Sequence, residues 1–199
     1  GLTDPPKKFE NTYSKLKNVQ RELDAINEAQ IPVKFILDQA FTRKNFQQAM
    51  NSNSYQVVHL ATHGQFGATR ERTYLLAADD AIYVDQLSEL FRTRGQRRED
   101  AVELLVLSAC KTASGNDRAV LGIAGTAVQA GARSVIAGLW SLADDSSVLF
   151  AQELYKNLGK PGISRAEALR LTQVAFLKDP NKYSHPRFWA PYVLVGSWL

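Results

Sequence analysis

The stretches Tyr55-Gln-Val-Val-His-Leu-Ala-Thr-His-Gly64 and Glu103-Leu-Leu-Val-Leu-Ser-Ala-Cys110 decide how this chain is read, because each is an apolar run that ends in a reactive side chain. Both runs are short and rich in Val and Leu, the pattern of strands buried on both faces. The first delivers His63 and the second Cys110, the only cysteine in the chain. A strand carries its last side chain to the rim of its sheet, so two such ends can bring an imidazole and a thiol together from distant positions. That pairing is the chemistry of cysteine peptidases.

The segments around these runs alternate in type. Leu16, Val19, Leu23 and Ile26 recur at helical spacing, and Val33-Lys-Phe-Ile-Leu37 reads as a strand after Pro32. Thr42 stands where it can cap a short helix through Met50. Residues 73–78 and 81–84 read as a hairpin around Asp79-Asp80, and 85–91 as a short helix. Residues 119–130 form a helical pattern that turns at Gly131 into a strand over 134–140. Helices over 145–158 and from Ser164, with Glu167 at capping-box spacing, lead to a last strand at 192–195. Apolar strands alternating with amphipathic helices predict an α/β domain, its sheet mainly parallel and covered by helices on both faces. In such sheets the working site lies beyond the carboxyl ends of the strands, where His63 and Cys110 stand.

With 199 residues and 45% apolar side chains, the chain can bury one full core and is expected to form one domain. Residues 1–11 are polar, carry Pro5-Pro6 and Lys7-Lys8, and read as a linker or the edge of a domain over 12–199. No apolar stretch approaches the roughly 18 residues of a membrane span, and the N-terminus lacks the apolar core of a secretory signal. A single cysteine excludes an internal disulfide and any zinc site built on several thiolates, and a free thiol suits a reducing compartment. The expectation is a soluble, cytoplasmic protein with no metal or other cofactor and no membrane association.

The net charge of +4 is modest, and its densest basic piece, Arg92-Thr-Arg-Gly-Gln-Arg-Arg98, has no interleaved aromatic residue. It reads as a solvated loop, so no nucleic-acid partner is expected. Gly122 and Gly125 lack the lysine and serine of a phosphate-binding loop and sit within a helical pattern, which argues against a nucleotide site.

A thiol with pKa near about 8.5 is only slightly ionised at neutral pH, so a nucleophilic cysteine needs a neighbouring base. His63 is the candidate, with the backbone N–H groups of Gly64 and Cys110 as an oxyanion hole. Glycine at 64 lets a substrate carbonyl approach the main chain closely. A lone cysteine ending an apolar strand also serves as a small buried hydrophobe, and spacing alone leaves both roles open. His59, inside its strand on the face of Val57, reads as a satisfied packing residue, and His185 before Pro186 as a structural hydrogen-bonding group.

His59-Leu-Ala-Thr-His-Gly64, Leu107-Ser-Ala-Cys-Lys-Thr112, Ala130-Gly-Ala-Arg-Ser134, Gly138-Leu-Trp-Ser141 and the closing His185-Pro-Arg-Phe-Trp-Ala-Pro-Tyr-Val-Leu-Val-Gly196 resemble the CHAT domain. This is a caspase-like domain often attached to tetratricopeptide repeats, and the resemblance runs from about Leu16 to the C-terminus. It implies the three-layer caspase-type fold shared with separase and gingipain, and a histidine–cysteine dyad that cleaves peptide bonds. His63 takes the base role and Cys110 the nucleophile role, with no third side chain required.

Trp140-Ser-Leu-Ala-Asp144 resembles the separase segment that places an acidic residue in the primary specificity pocket. Asp144 in that role would favour Arg or Lys before the scissile bond. Asp144 or Asp145 could equally cap the following helix, with Asp117 and Asp79 as substitute pocket residues. Only about a dozen polar residues precede the helix at Leu16, fewer than the family usually has there. The chain therefore reads as a piece of a longer protein, whose remainder would hold repeats or bind a regulatory protein, and edge strands would be exposed in it. An arginine preference would also make the 92–98 segment a self-cleavage or regulatory site. The expected activity is that of a cysteine endopeptidase acting on protein or peptide substrates. The alternative is a non-catalytic caspase-like scaffold in a regulatory assembly.

Overall fold

Parallel strands need a crossover between them, and the alternation of short Val/Leu-rich runs with longer amphipathic segments supplies one each time. The computed structural model describes residues 1–29, 31–67, 69–95, 101–108, 118–140, 144–180 and 182–199, with the backbone alone at 94–95, 118–123 and 144. Along the chain run α1 (Val19–Asn27), α2 (Arg43–Ser52), β1 (Val57–Leu60), β2 (Gly64–Gln65), β3 (Tyr74–Leu76), β4 (Ala81–Tyr83) and α3 (Val84–Gly95). They are followed by β5 (Leu104–Leu107), α4 (Arg118–Gln129), β6 (Ser134–Gly138), α5 (Asp144–Leu158), α6 (Arg165–Leu177), α7 (Pro186–Trp189) and β7 (Tyr192–Gly196).

The main sheet has the order β1-β5-β6-β7, and the first two pairings are parallel while β7 returns antiparallel to β6. A second, antiparallel sheet is formed by β2, β3 and β4. Side chains alternate across the main sheet and feed two separate cores. Val58, Leu60, Leu105, Leu107 and Val135 pack with Phe46 of α2 and Leu87 of α3. Leu104, Val106 and Ile136 pack on the other face with Leu23 of α1 and Phe150 of α5. Each fully buried Leu or Val contributes about 1.5–3 kcal/mol, so both faces hold the sheet and the three layers follow from the sequence pattern. Among the described residues no helix is long and apolar enough to cross a membrane.

Local signals set the ends of the elements. Thr42 Oγ1 accepts from Asn45 N at 3.1 Å and starts α2. Ser164 Oγ accepts from Glu167 N at 3.2 Å, but the Glu167 carboxylate turns to Arg170, so the capping box is only half made. At the end of α4, Gly131 has φ 115°, its N–H bonds Val128 O and Ala132 N bonds Ala127 O. This is the Schellman pattern, and its left-handed residue aims the chain into β6. At the start of the sheet, Glu103 binds Arg133 at 2.9 Å and also Arg165, tying α6 and the turn before β6 to β5.

The structure departs from the sequence reading in four places. Residues 33–37 join no ladder among the described residues. The ladder of β1 stops at Leu60, ahead of Thr62. Helix α3 runs on to Gly95 and takes in Arg92 and Arg94, read as loop; Arg92 binds Glu89 one turn back, and Thr93 Oγ1 caps Glu89 O. The rest of the basic segment, 96–98, lies outside the described residues. Helix α7 is a single turn that the sequence did not reveal, started by Pro186 at its first position. Within residues 1–11, Leu2 is 2% exposed in the core and Phe9 packs on Tyr13 and Tyr74.

Candidate active site

Parallel pairing of β1 with β5 sets Leu60 opposite Leu107, and Ser108 N donates to Leu60 O at 3.0 Å just beyond. In the sequence His63 follows Leu60 by three residues and Cys110 follows Leu107 by three. Cys110 itself lies outside the described residues. His63 is 7% exposed, and its ring centre stands 5.0 Å from that of Tyr13, tilted by 42°. Its carbonyl accepts from Leu76 N at 2.8 Å, and Thr62 Oγ1 donates to Leu76 O at 2.6 Å. These two bonds fix the crossing from β1 to β2 on which His63 sits.

Gly64 lies opposite Leu75. Since His63 O is turned to β3, strand alternation turns the Gly64 N–H to the opposite edge. A Cβ at Gly64 would come within 2.8 Å of Leu75 Cδ2, 3.1 Å of Phe66 Cζ and 3.3 Å of Tyr74 O. Close packing beneath the residue therefore favours glycine here, a reason the sequence did not reveal.

Tyr13 is 4% exposed and was missed in the sequence, where it is one aromatic in an aperiodic segment. Its hydroxyl donates to Tyr74 Oη at 3.3 Å, and Tyr74 donates on to Gln65 Oε1 at 3.1 Å. Burial, then the Tyr74 bond, pushes the Tyr13 hydroxyl far above the usual phenol range. It stays protonated at any physiological pH and covers the imidazole as a neutral ring.

His59 has buried partners, as its reading as a satisfied packing residue required. Nδ1 lies 3.0 Å from Tyr155 Oη and Nε2 lies 2.9 Å from Glu22 Oε1, while Ser147 Oγ donates to Glu22 Oε2 at 2.8 Å. Burial, then the negative charge of Glu22, pushes the Tyr155 hydroxyl above its usual range. Glu22 escaped the sequence reading, although its place among Val19, Leu23 and Ile26 puts a carboxylate on the apolar face of α1. His185 Nδ1 accepts from Arg187 N at 3.2 Å and caps α7, the structural bond expected of it.

Of the acidic candidates, Asp144 is the first residue of α5, where its backbone alone is described. Asp145 is bound by Lys182, whose hydrogen bond and charge hold the carboxyl below its usual range. Asp79 accepts from Arg43 N at 2.9 Å and from its guanidinium, which ties it to the start of α2. Asp117 lies outside the described residues.

A largely parallel sheet between helical layers, with a histidine beyond one strand and the neighbouring strand leading to the lone cysteine, defines a caspase-like α/β domain. The chain belongs to the CHAT domain family, which it matches over residues 4–197. CHAT domains are related to the caspase-like cysteine peptidases. The chain is also similar to tetratricopeptide repeat protein 28 of Mus musculus, with 30% identity over 102 residues. That alignment takes in 49% of this chain and 4% of the mouse protein, so the chain spans a small part of that relative.

Proposed function

We propose that this CHAT domain hydrolyses peptide bonds in protein substrates with His63 as base and Cys110 as nucleophile, cutting after arginine or lysine. The parallel pairing of Leu60 with Leu107 carries the reading, because β1 and β5 end at the same edge of the sheet. His63 takes the Cys110 proton, and the sulfur forms a bond to the scissile carbonyl carbon. The N–H groups of Gly64 and Cys110 receive the oxyanion. Collapse breaks the C–N bond as His63 returns the proton to the leaving amine. Water, deprotonated by His63, then attacks the thioester, releases the new carboxyl end and restores the thiol.

Asp144 is the proposed pocket residue for the basic side chain. Its neighbour Asp145 is bound by Lys182, which argues against Asp145 in that role. The free thiol suits the cytoplasm. The name of the mouse relative supports an attached tetratricopeptide-repeat region, and that region or a regulatory protein is the proposed means of substrate recruitment.

Profiling against a peptide library, beside a Cys110→Ala variant, tests the reading. Arginyl and lysyl reporters should be cleaved, and the variant should fold but not turn over. Undiminished cleavage by the variant would overturn the dyad. Absence of cleavage, together with failure of a peptide electrophile to label Cys110 near neutral pH, would favour the scaffold role.

A further inference from the structure

Helix α5 meets α1 and the sheet through an apolar layer, in which Leu23 and Ile26 pack with Phe150, Ala151 and Leu154. Apolar burial has no direction. A hydrogen bond, by contrast, weakens steeply once its length or angle leaves a narrow range. Two polar anchors cross the layer: Ser147 Oγ donates to Glu22 Oε2 at 2.8 Å, and Tyr155 Oη lies 3.0 Å from His59 Nδ1. Ser147 and Tyr155 are two turns apart, roughly 12 Å along the helix axis, so together they fix where α5 sits along its length.

The far ends of the two anchors meet. Glu22 Oε1 lies 2.9 Å from the other imidazole nitrogen, His59 Nε2, and His59 is itself held in the sheet opposite Val106 of β5. As a carboxylate Glu22 only accepts, so one of its oxygens is committed to the strand and the other to the helix. A carboxylate buried in such a layer is a poor source of stability, because apolar side chains of similar volume would hold the layer as well or better. What it supplies is direction.

The direction bears on both halves of the candidate site. Ser147 lies in the first turn of α5, the helix that begins at Asp144. From His59 the chain of β1 leads on to His63. We propose that Glu22 is a positioning residue: with His59 and Ser147 it clamps the first turn of α5 at one height against β1, and so sets where a basic substrate side chain is received relative to His63. What the clamp aligns rests on the proposed peptidase function; that it holds α5 rests on the hydrogen bonds alone.

Ser147→Ala removes the helix arm of the clamp. Glu22→Gln rebuilds both arms, since its amide oxygen can accept from His59 and its amide N–H can donate to Ser147 Oγ. Steady-state cleavage of an arginyl reporter tests the clamp, read beside amide hydrogen exchange at Val148, Leu149 and Phe150 in the first turns of α5. Ser147→Ala should raise KM about fivefold or more with kcat within about twofold. It should speed exchange at those amides about tenfold and leave Leu105 and Val106 of β5 at the parent rate. Glu22→Gln should stay within about twofold of the parent in KM and in exchange. Parent-like KM or parent-like α5 exchange in Ser147→Ala would overturn the proposal. So would losses shared by KM, kcat and β5 exchange, which mark a merely structural role, or a Glu22→Gln variant as impaired as Ser147→Ala. If the parent cleaves no reporter, it is the peptidase reading that fails, and exchange in Ser147→Ala alone decides whether Glu22 clamps α5.

Discussion

Glu22 Oε1 stands 2.9 Å from His59 Nε2, with the two side chains 4% and 8% exposed, so one buried contact joins α1 to β1. Ser147 and Tyr155 bring α5 into the same network. Glu22→Ala leaves the imidazole and the Ser147 hydroxyl without their acceptor in the interior, and should lower stability by about 3 kcal/mol. Glu22→Gln keeps an acceptor and should lower it by about 1 kcal/mol. Urea unfolding of both variants measures the difference, and equal losses would show that packing, not hydrogen bonding, is what Glu22 supplies.

Gly64→Ala should destabilise the domain by about 1–3 kcal/mol, because the added methyl meets Leu75, Phe66 and the Tyr74 carbonyl. A thermal melt reads this. If reporter cleavage is lost while Tm is unchanged, the glycine serves the substrate and not the packing.

Tyr13→Phe keeps a ring over His63 and removes the bond to Tyr74, a loss of about 1 kcal/mol. Tyr13→Ala opens the imidazole to water, and should change the pH profile of reporter cleavage where Tyr13→Phe does not. Identical profiles for the two would show that the ring does not govern His63.

Asp144→Asn should reduce cleavage of arginyl reporters about tenfold or more while leaving Tm within a degree or two of the parent. Parallel losses of cleavage and Tm would assign Asp144 to the start of α5. Lys182→Met, which frees Asp145, should leave the preference for arginine intact.

Between about pH 5 and 8 the free amine of Gly1 adds a pH dependence to the stability of the chain as it stands. With its folded pKa near 5 and its ordinary value at 8.0, the unfolded chain binds a proton between these limits that the folded chain does not. Stability should therefore rise with pH from about 5 to 8, by the linkage of protons to folding. Acetylating the amine should flatten that slope in urea titrations across this range. A slope unchanged by acetylation would place its origin elsewhere.

The fold was legible where periodicity is strong. The Val and Leu runs at 57–60 and 104–107 became the paired parallel strands, and Thr42 and Ser164 start α2 and α6 as their side chains predict. Residues 33–37 have the composition of a strand, but a ladder depends on a neighbour and not on composition alone. Arg92 and Arg94 were misread because charge argued for a loop, while the Glu89 pair one turn back holds the helix. Around the candidate site, His63 was nominated from the end of its run. Tyr13 and Glu22 could not, since their roles arise from contacts between segments that no local pattern encodes.

Glu103 clasps Arg133 and Arg165 where the parallel strands begin, the end opposite His63. The sheet is thus latched at its rear. Loops beyond Leu60 and Leu107 can be reshaped without sliding one strand past the next, because the alignment is set behind them. If the proposed peptidase reading holds, sequence change at the front rim would retune which peptides are accepted, whereas change at Glu103 would untie α6 and the turn before β6 from the rear of the sheet.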